Sequence, residues 1–267
     1  MSMPTGVRIE TSGSSGPLKT YALGVILAAL QGPSRDSLLA EGVRLAAMQP
    51  GAALTRFEAI LAADSLDVEA NWRAAIALSD LSLPLTGKAG RPARDSLLAR
   101  GQVRARRAVR AAPGDARALF ALGLVLGNTA LTRGTKEKVR MATEIRSLAL
   151  RAVAADSNHD GALHLLGRWN YEVMSLSGFE RFIAKSVLGG GVFGEASWEE
   201  ARRDLERAVA IDPDRIYHRL DLARVLIARH ATAAAQRELR RIGELPDRVA
   251  ADSTYRRQAV ELLAKLN

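Results

Sequence analysis

Few side chains in this sequence are of a type and spacing that could carry chemistry. There is no cysteine, which removes disulfides and thiol catalysis. The histidines, His159, His164, His218 and His230, form neither an H-E-x-x-H pair nor a Cys/His ligand set, so no metal or cofactor is expected. His164 lies one helical turn before Arg168, and as a lone histidine it reads as a core or groove residue rather than a catalyst. Gly189, Gly190, Gly191 and Gly194 look at first like a phosphate loop. They lack the Gly-Lys-Ser/Thr ending and follow no strand. Glu199 and Glu200 form a carboxylate pair, but at a helix start, where they complement the helix dipole. The residues therefore support no catalytic assignment, and the protein reads as a non-enzyme.

Binding chemistry is better represented. Residues 163–213 hold six of the twelve aromatics, among them Trp169, Tyr171, Phe179 and Phe182, and aromatics bury the most apolar area per residue. Charge is the second feature: the chain carries a formal net charge of +9, with 38 basic residues of which only six are lysine. Arg100, Arg104 and Arg107 share one stripe of a helix over 95–112, with Arg106 and Arg110 beside it. Such a stripe fits either an anionic partner or a solvated helix face. Nucleic acid is disfavoured, because no recognition motif, zinc spacing or stacking aromatics accompany the arginines.

The elements that position these residues follow from a repeated spacing. From Ser197, an N-cap with Glu200 at the capping-box position, the residues Ala201, Leu205, Ala208 and Pro213 step by four, three and five. That small-large-small-Pro pattern resembles the second helix of a tetratricopeptide (TPR) repeat. It recurs as Ala53, Phe57, Ile60, Ser65, as Gly101, Ala105, Ala108, Pro113, as Ile145, Ala149, Ala152, Ser157 and as Ala235, Leu239, Ile242, Asp247. First-helix signatures precede the later copies at Leu122 and Gly123, Leu166 and Gly167, and Leu222 and Ala223. By the usual repeat spacing the third pair holds about ten extra residues and the fourth about 22. Together with the Ala-rich composition and the lack of period-2 alternation, this predicts an all-α, right-handed α-solenoid of about five TPR-like helix pairs with a C-terminal capping helix.

Residues 36–266 form that repeat domain. Residues 1–34 read as a disordered lead followed by an apolar run, Tyr21 to Leu30, which is too short to span a bilayer. The run fits either a signal-peptide core, implying export to a periplasm, or an apolar helix packed on the first repeat of a cytoplasmic protein. Pro84 to Pro92 reads as a loop, and Asp252 to Leu266 as the capping helix. Phe179, Phe182, Ile183 and Val187 recur at helical spacing inside the long fourth-pair insertion, residues 176–196, and Gly189 to Gly191 then break the helix. Such an insertion is either a hinged lid or a docked helix.

At L-G-R-W-N-Y-E-V, residues 166–173, followed by S-L-S-G-F-E-R-F-I-A-K-S-V-L-G and a S-W-E-E-A helix start, the chain resembles the regulator of microtubule dynamics family. Asp212–Pro213 and Glu244 to Asp247 match the family's closing repeat. The resemblance implies a TPR-like module associated with microtubules, organelle contacts and phospholipid, here in a bacterial relative to judge from the Ala/Arg-rich composition. Asn170 departs from the motif's usual Cys. The expected function is a non-enzymatic scaffold that takes a protein or peptide on the concave face of the first helices; the alternative is a phospholipid site in an apolar cavity under the 176–196 insertion. Candidate contact residues are Trp72, Leu119, Leu126, Arg168, Trp169, Asn170, Tyr171, Phe179, Arg181, Phe182 and Lys185.

Overall fold

One turn, repeated four times, organises the chain. At the end of each second helix the backbone N–H of Asp64, Ala112, Asp156 or Asp212 closes the last helical turn on the carbonyl of Ile60, Ala108, Ala152 or Ala208 at 2.8–3.0 Å. Three residues on, the N–H of Asp67, Asp115, His159 or Arg215 returns to the turn carbonyl at 3.1–3.2 Å, and the next first helix begins there. Asp67, Asp115 and His159 then accept from the free N–H groups of that helix, satisfying donors no carbonyl can reach.

The computed structural model describes residues 32–177, 180 and 191–266. The chain divides into residues 1–37 and 38–267. In the first unit the described part is short, and Ser34 Oγ caps a helix start by accepting from Ser37 N–H at 3.2 Å. The expectations for residues 1–31, and those for Phe179, Arg181, Phe182 and Lys185 in the insertion, lie outside the described residues.

The described residues hold eleven α-helices and no strand: α1 (Arg35–Ala46), α2 (Pro50–Ala63), α3 (Val68–Ser82), α4 (Gly87–Ala111), α5 (Ala116–Ala130), α6 (Thr135–Ala155), α7 (Asp160–Met174), α8 (Trp198–Ile211), α9 (Ile216–Ala228), α10 (Thr232–Glu244) and α11 (Asp252–Ala264). A short 3-10 helix, Gly191–Glu195, precedes α8. Consecutive helices pack as pairs, first helix packs on first helix, and α11 seals α9 and α10, giving the all-α TPR-like solenoid that the spacing predicts. None of the described helices is long and apolar enough to cross a membrane.

The repeat signature is a packing rule. Gly167 on α7 faces Leu205 of α8 so closely that an added Cβ would stand 2.6 Å from the leucine Cγ and 3.0 Å from the Ala201 carbonyl. Only glycine permits that approach. The buried signature residues Phe57, Ala105, Ala149, Leu205 and Leu239 continue the same contact along the array. At the far end, the N–H of Ala250 donates to the carbonyl of Ala47 at 2.9 Å, so the turn after α1 and the turn before α11 meet.

One boundary differs from the sequence reading. The stretch 84–92 is not a loop throughout, because α4 begins at Gly87, whose φ of +70° suits glycine alone. Pro92 falls in the second turn of α4, where it forfeits a single bond to the Lys88 carbonyl and the helix continues.

Candidate functional site

The stripe of α7 that turns away from α8 carries Asp160, His164, Arg168 and Glu172, one turn apart each. Opposite it α9 presents Tyr217, His218, Asp221 and Arg224. Asp221 is 4% exposed and is met by three donor atoms: Arg168 Nη1 donates to both carboxylate oxygens at 3.0 and 2.8 Å, His164 Nε2 lies 3.2 Å away, and Arg224 Nη1 closes on Oδ1. Arg168 also holds Glu172 at 2.7 Å, and Arg224 donates to Gln258 of α11 at 2.6 Å. The chain of contacts continues from His164 Nδ1 to His218 Nδ1 at 3.1 Å and from His218 Nε2 to Asp160 at 2.9 Å.

Charge states follow from these contacts. Burial alone would raise the Asp221 pKa, but the Arg168 guanidinium and the His164 hydrogen bond outweigh it and hold the carboxyl well below the usual range. Burial would likewise raise Asp160, and the His218 contact brings it down to about 2. Burial pushes His218 down to about 4 against the pull of Asp160. Burial disfavours the Arg168 charge, yet Asp221 and Glu172 raise its pKa overall.

Around this network stand two tyrosines. Tyr217 packs edge-on against His164 with ring centroids 4.7 Å apart and lies 6.1 Å from Tyr255 of α11, and burial raises both hydroxyl pKa values. The charge of Asp80 on α3 acts on both tyrosines, and burial lifts its own carboxyl to about 7 against the opposing charge of Arg215. The Asp80 carboxylate has no hydrogen-bond or ion-pair partner among the described residues. The described residues contain no cluster suited to a metal ion.

Of the sequence candidates, Arg168 belongs to this network, in an ion pair with Glu172 as its i, i+4 spacing allows and also with Asp221, which spacing could not reveal. Trp169 points the other way: it is 5% exposed, donates to the Ala142 carbonyl at 2.8 Å and stacks on Phe193 at 6.0 Å, under the guanidinium of Arg146. It thereby docks the end of the insertion, with Arg146 bonded to Glu195 beside it at 2.7 Å. Asn170 is buried, donating to the Leu166 carbonyl and accepting the Ser197 N–H that starts α8. Tyr171 is half-buried against Trp198, at 6.0 Å. Trp72 is 7% exposed within the core, with Arg73 and Arg117 over its ring at 4.3 and 5.5 Å. Leu119 and Leu126, each 1% exposed, pack inside the array and do not line an open face. The residues that sequence reasoning missed are Asp80, Asp160, His218, Asp221 and Arg224. For Asp221 and Arg224 the signal was a charged side chain between two apolar ones on a first helix, as in Leu220–Asp221–Leu222; Asp80, Asp160 and His218 carry no such pattern.

The arginine stripe of α4 is partly a brace. Arg100 bonds Glu58 of α2 at 2.6 Å, and Arg106 bonds Glu144 of α6 at 2.8 and 3.1 Å. Burial and the neighbouring Arg107 lower the Arg104 pKa.

Fold and network together define a TPR-like helical repeat protein with a charged junction between α7 and α9. The sequence model of regulator of microtubule dynamics protein 1-3 matches residues 39–267, and the chain belongs to that family. A thermophilic TPR protein of Thermus thermophilus is similar to it at a TM-score of 0.58 and 17% identity, over 86% of this chain and 100% of that one. A monomeric mutant of IFIT1 with m7Gppp-AAAA gives 0.51 at 18% identity, over 87% of this chain and 56% of its own. Both likenesses are of fold. No curated protein matches the sequence.

Proposed function

We propose that the protein is a non-enzymatic scaffold that binds a protein segment in the groove lined by its first helices. The observation that carries this reading is the charged network from Asp160 to Asp221 with Arg168, Glu172, Tyr217 and Arg224 around it. Such a lining offers directional hydrogen bonds and ion pairs to a peptide backbone and its side chains, whereas a lipid tail would require an apolar wall. Fixed rotamers add to this, because a groove whose side chains are already ordered has less entropy to lose on binding. The phospholipid alternative places its ligand under the 176–196 insertion. Native mass spectrometry of freshly purified protein separates the two. The mass of the chain alone is expected, and a bound mass of lipid size that survives gentle desolvation would replace the scaffold reading with the lipid one.

A further inference from the structure

The arginine stripe of α4 is committed to the fold only in part. Arg100 bonds Glu58 of α2, and Arg106 bonds Glu144 of α6. Arg104 and Arg107, one helical turn apart on α4 and both half-buried, have no hydrogen-bond or ion-pair partner among the described residues.

Repeat register shows how Arg107 comes to be left over. Ala108, Ala152 and Ala208 occupy one repeat position, so Arg107, Arg151 and Arg207, each one residue earlier, occupy the position before it. Arg151 donates to the Pro113 carbonyl at 2.8 Å and Arg207 to the Ser157 carbonyl at 3.1 Å, in each case reaching back to the turn that ends the preceding second helix. Counted the same way, the acceptor for Arg107 is the Ser65 carbonyl, which accepts instead from Asn71 Nδ2 at 3.0 Å. Arg104 is in a like position. Burial lowers its pKa, the charges of Arg107 and Arg100 lower it further, and the carboxylate that opposes them, Glu58, is bonded to Arg100.

Two half-buried cations side by side, each without a counter-charge, are stabilised by an anion that reaches both. Side chains three apart on a helix start about 5–6 Å from each other, close enough for both guanidinium forks to meet on one group. A carboxylate is filled by a single fork, whereas a phosphoryl group has three terminal oxygens and close to two charges, and so can accept from both.

We infer that Arg104 and Arg107 form a binding site for a phosphate monoester, each guanidinium donating to a different terminal oxygen of the same group. A free phosphate compound and the phosphorylated side chain of a partner share this chemistry. Isothermal titration of the full chain with inorganic phosphate and with acetate tests the site, and a capped phosphoserine peptide beside its unphosphorylated twin tests the second source. Saturable binding of a phosphorylated probe is expected, with acetate and the unphosphorylated peptide inert. Arg104→Met and Arg107→Met, each alone, should weaken it at least about tenfold, while Arg240→Met, which removes the same charge from the exposed face of α10, should leave it unchanged. Methionine keeps an aliphatic stem and removes the charge, so Arg104→Met is also expected to melt at or above the wild-type temperature. Binding of inorganic phosphate with the phosphopeptide inert assigns the site to a free phosphate compound; binding of the phosphopeptide assigns it to a partner's phosphorylated side chain. No binding of either, acetate binding as well as phosphate, or a loss no greater for Arg104→Met and Arg107→Met than for Arg240→Met would overturn the inference.

Discussion

Two junctions between first helices can be set side by side. Between α3 and α5 the contact is largely apolar: Trp72, Ala75, Leu119 and Leu122 share one buried cluster, joined by a bond from Asn128 to Ser79 at 2.8 Å and by the Arg117 guanidinium over the Trp72 ring at 5.5 Å. Between α7 and α9 the contact is made by Asp160, His164, Arg168, His218 and Asp221. An apolar junction stabilises in proportion to the area buried and tolerates small shifts. A charged one must first overcome the desolvation of each ion, and it holds only in the geometry that pairs them all. The difference teaches that the first junction is held by burial, whereas the second trades some of that stability for a set of fixed, mutually paired charges.

The largest test of that contrast is Asp221→Ala. It strands Arg168, His164 and Arg224 in a half-buried site and is expected to cost about 3–5 kcal/mol in urea unfolding. The paired change Arg168→Met with Asp221→Leu should return most of that loss, since a well-packed apolar replacement of a buried ion pair is close to neutral. If the double variant is as unstable as the single one, the charged junction is a stabilising device and the contrast fails. Leu119→Ala, in the apolar junction, should cost about 2–5 kcal/mol with no rescue by a charge change elsewhere. Asp115→Ala removes the cap of α5 and should lower stability by about 1 kcal/mol.

Smaller and opposite in sign are two effects of pH. His218 binds its proton less tightly folded (about 4) than unfolded (6.5), so its stabilising contribution is complete above 6.5 and is lost as pH falls toward 4. Asp80 binds its proton more tightly folded (about 7) than its ordinary 3.8, so its contribution is present at low pH and is lost as pH rises through 7. Asp80→Asn should therefore raise the melting temperature at about pH 8 and leave it unchanged at about pH 4. An equal shift at both values would show that Asp80 acts through packing. Smallest of all, Arg106→Ala breaks a largely exposed pair with Glu144 and should cost under about 1 kcal/mol, an effect that added salt erases.

The repeat fold was legible because close helix packing writes itself into local spacing: Gly167 against Leu205, and Ala201 four residues before that leucine, are one contact seen from two helices. The charged junction was not legible, because its partners lie far apart in sequence. Arg168 and Asp221 are 53 residues apart, and Asp160 and His218 are 58. The Arg168–Glu172 pair, at helical spacing, was visible, and it is the weaker half of what Arg168 does. Trp169 and Phe193 show the intermediate case, in which the aromatic density of the stretch was plain but not the partner that each ring would find. The start of α4 was misread because Gly87 and Pro92 signal a turn by composition, while a single positive φ was enough to begin a helix.

The central claim, that the α7/α9 groove is the binding surface, is tested most directly by selecting short random peptides on the purified protein and measuring the enriched ones against two variants. Glu172→Ala alters the rim of the groove, and Arg110→Ala alters the exposed end of α4. The account predicts that the peptides lose about tenfold or more in affinity for Glu172→Ala and none for Arg110→Ala. Peptides that ignore Glu172→Ala, or that depend on Arg110, would contradict it.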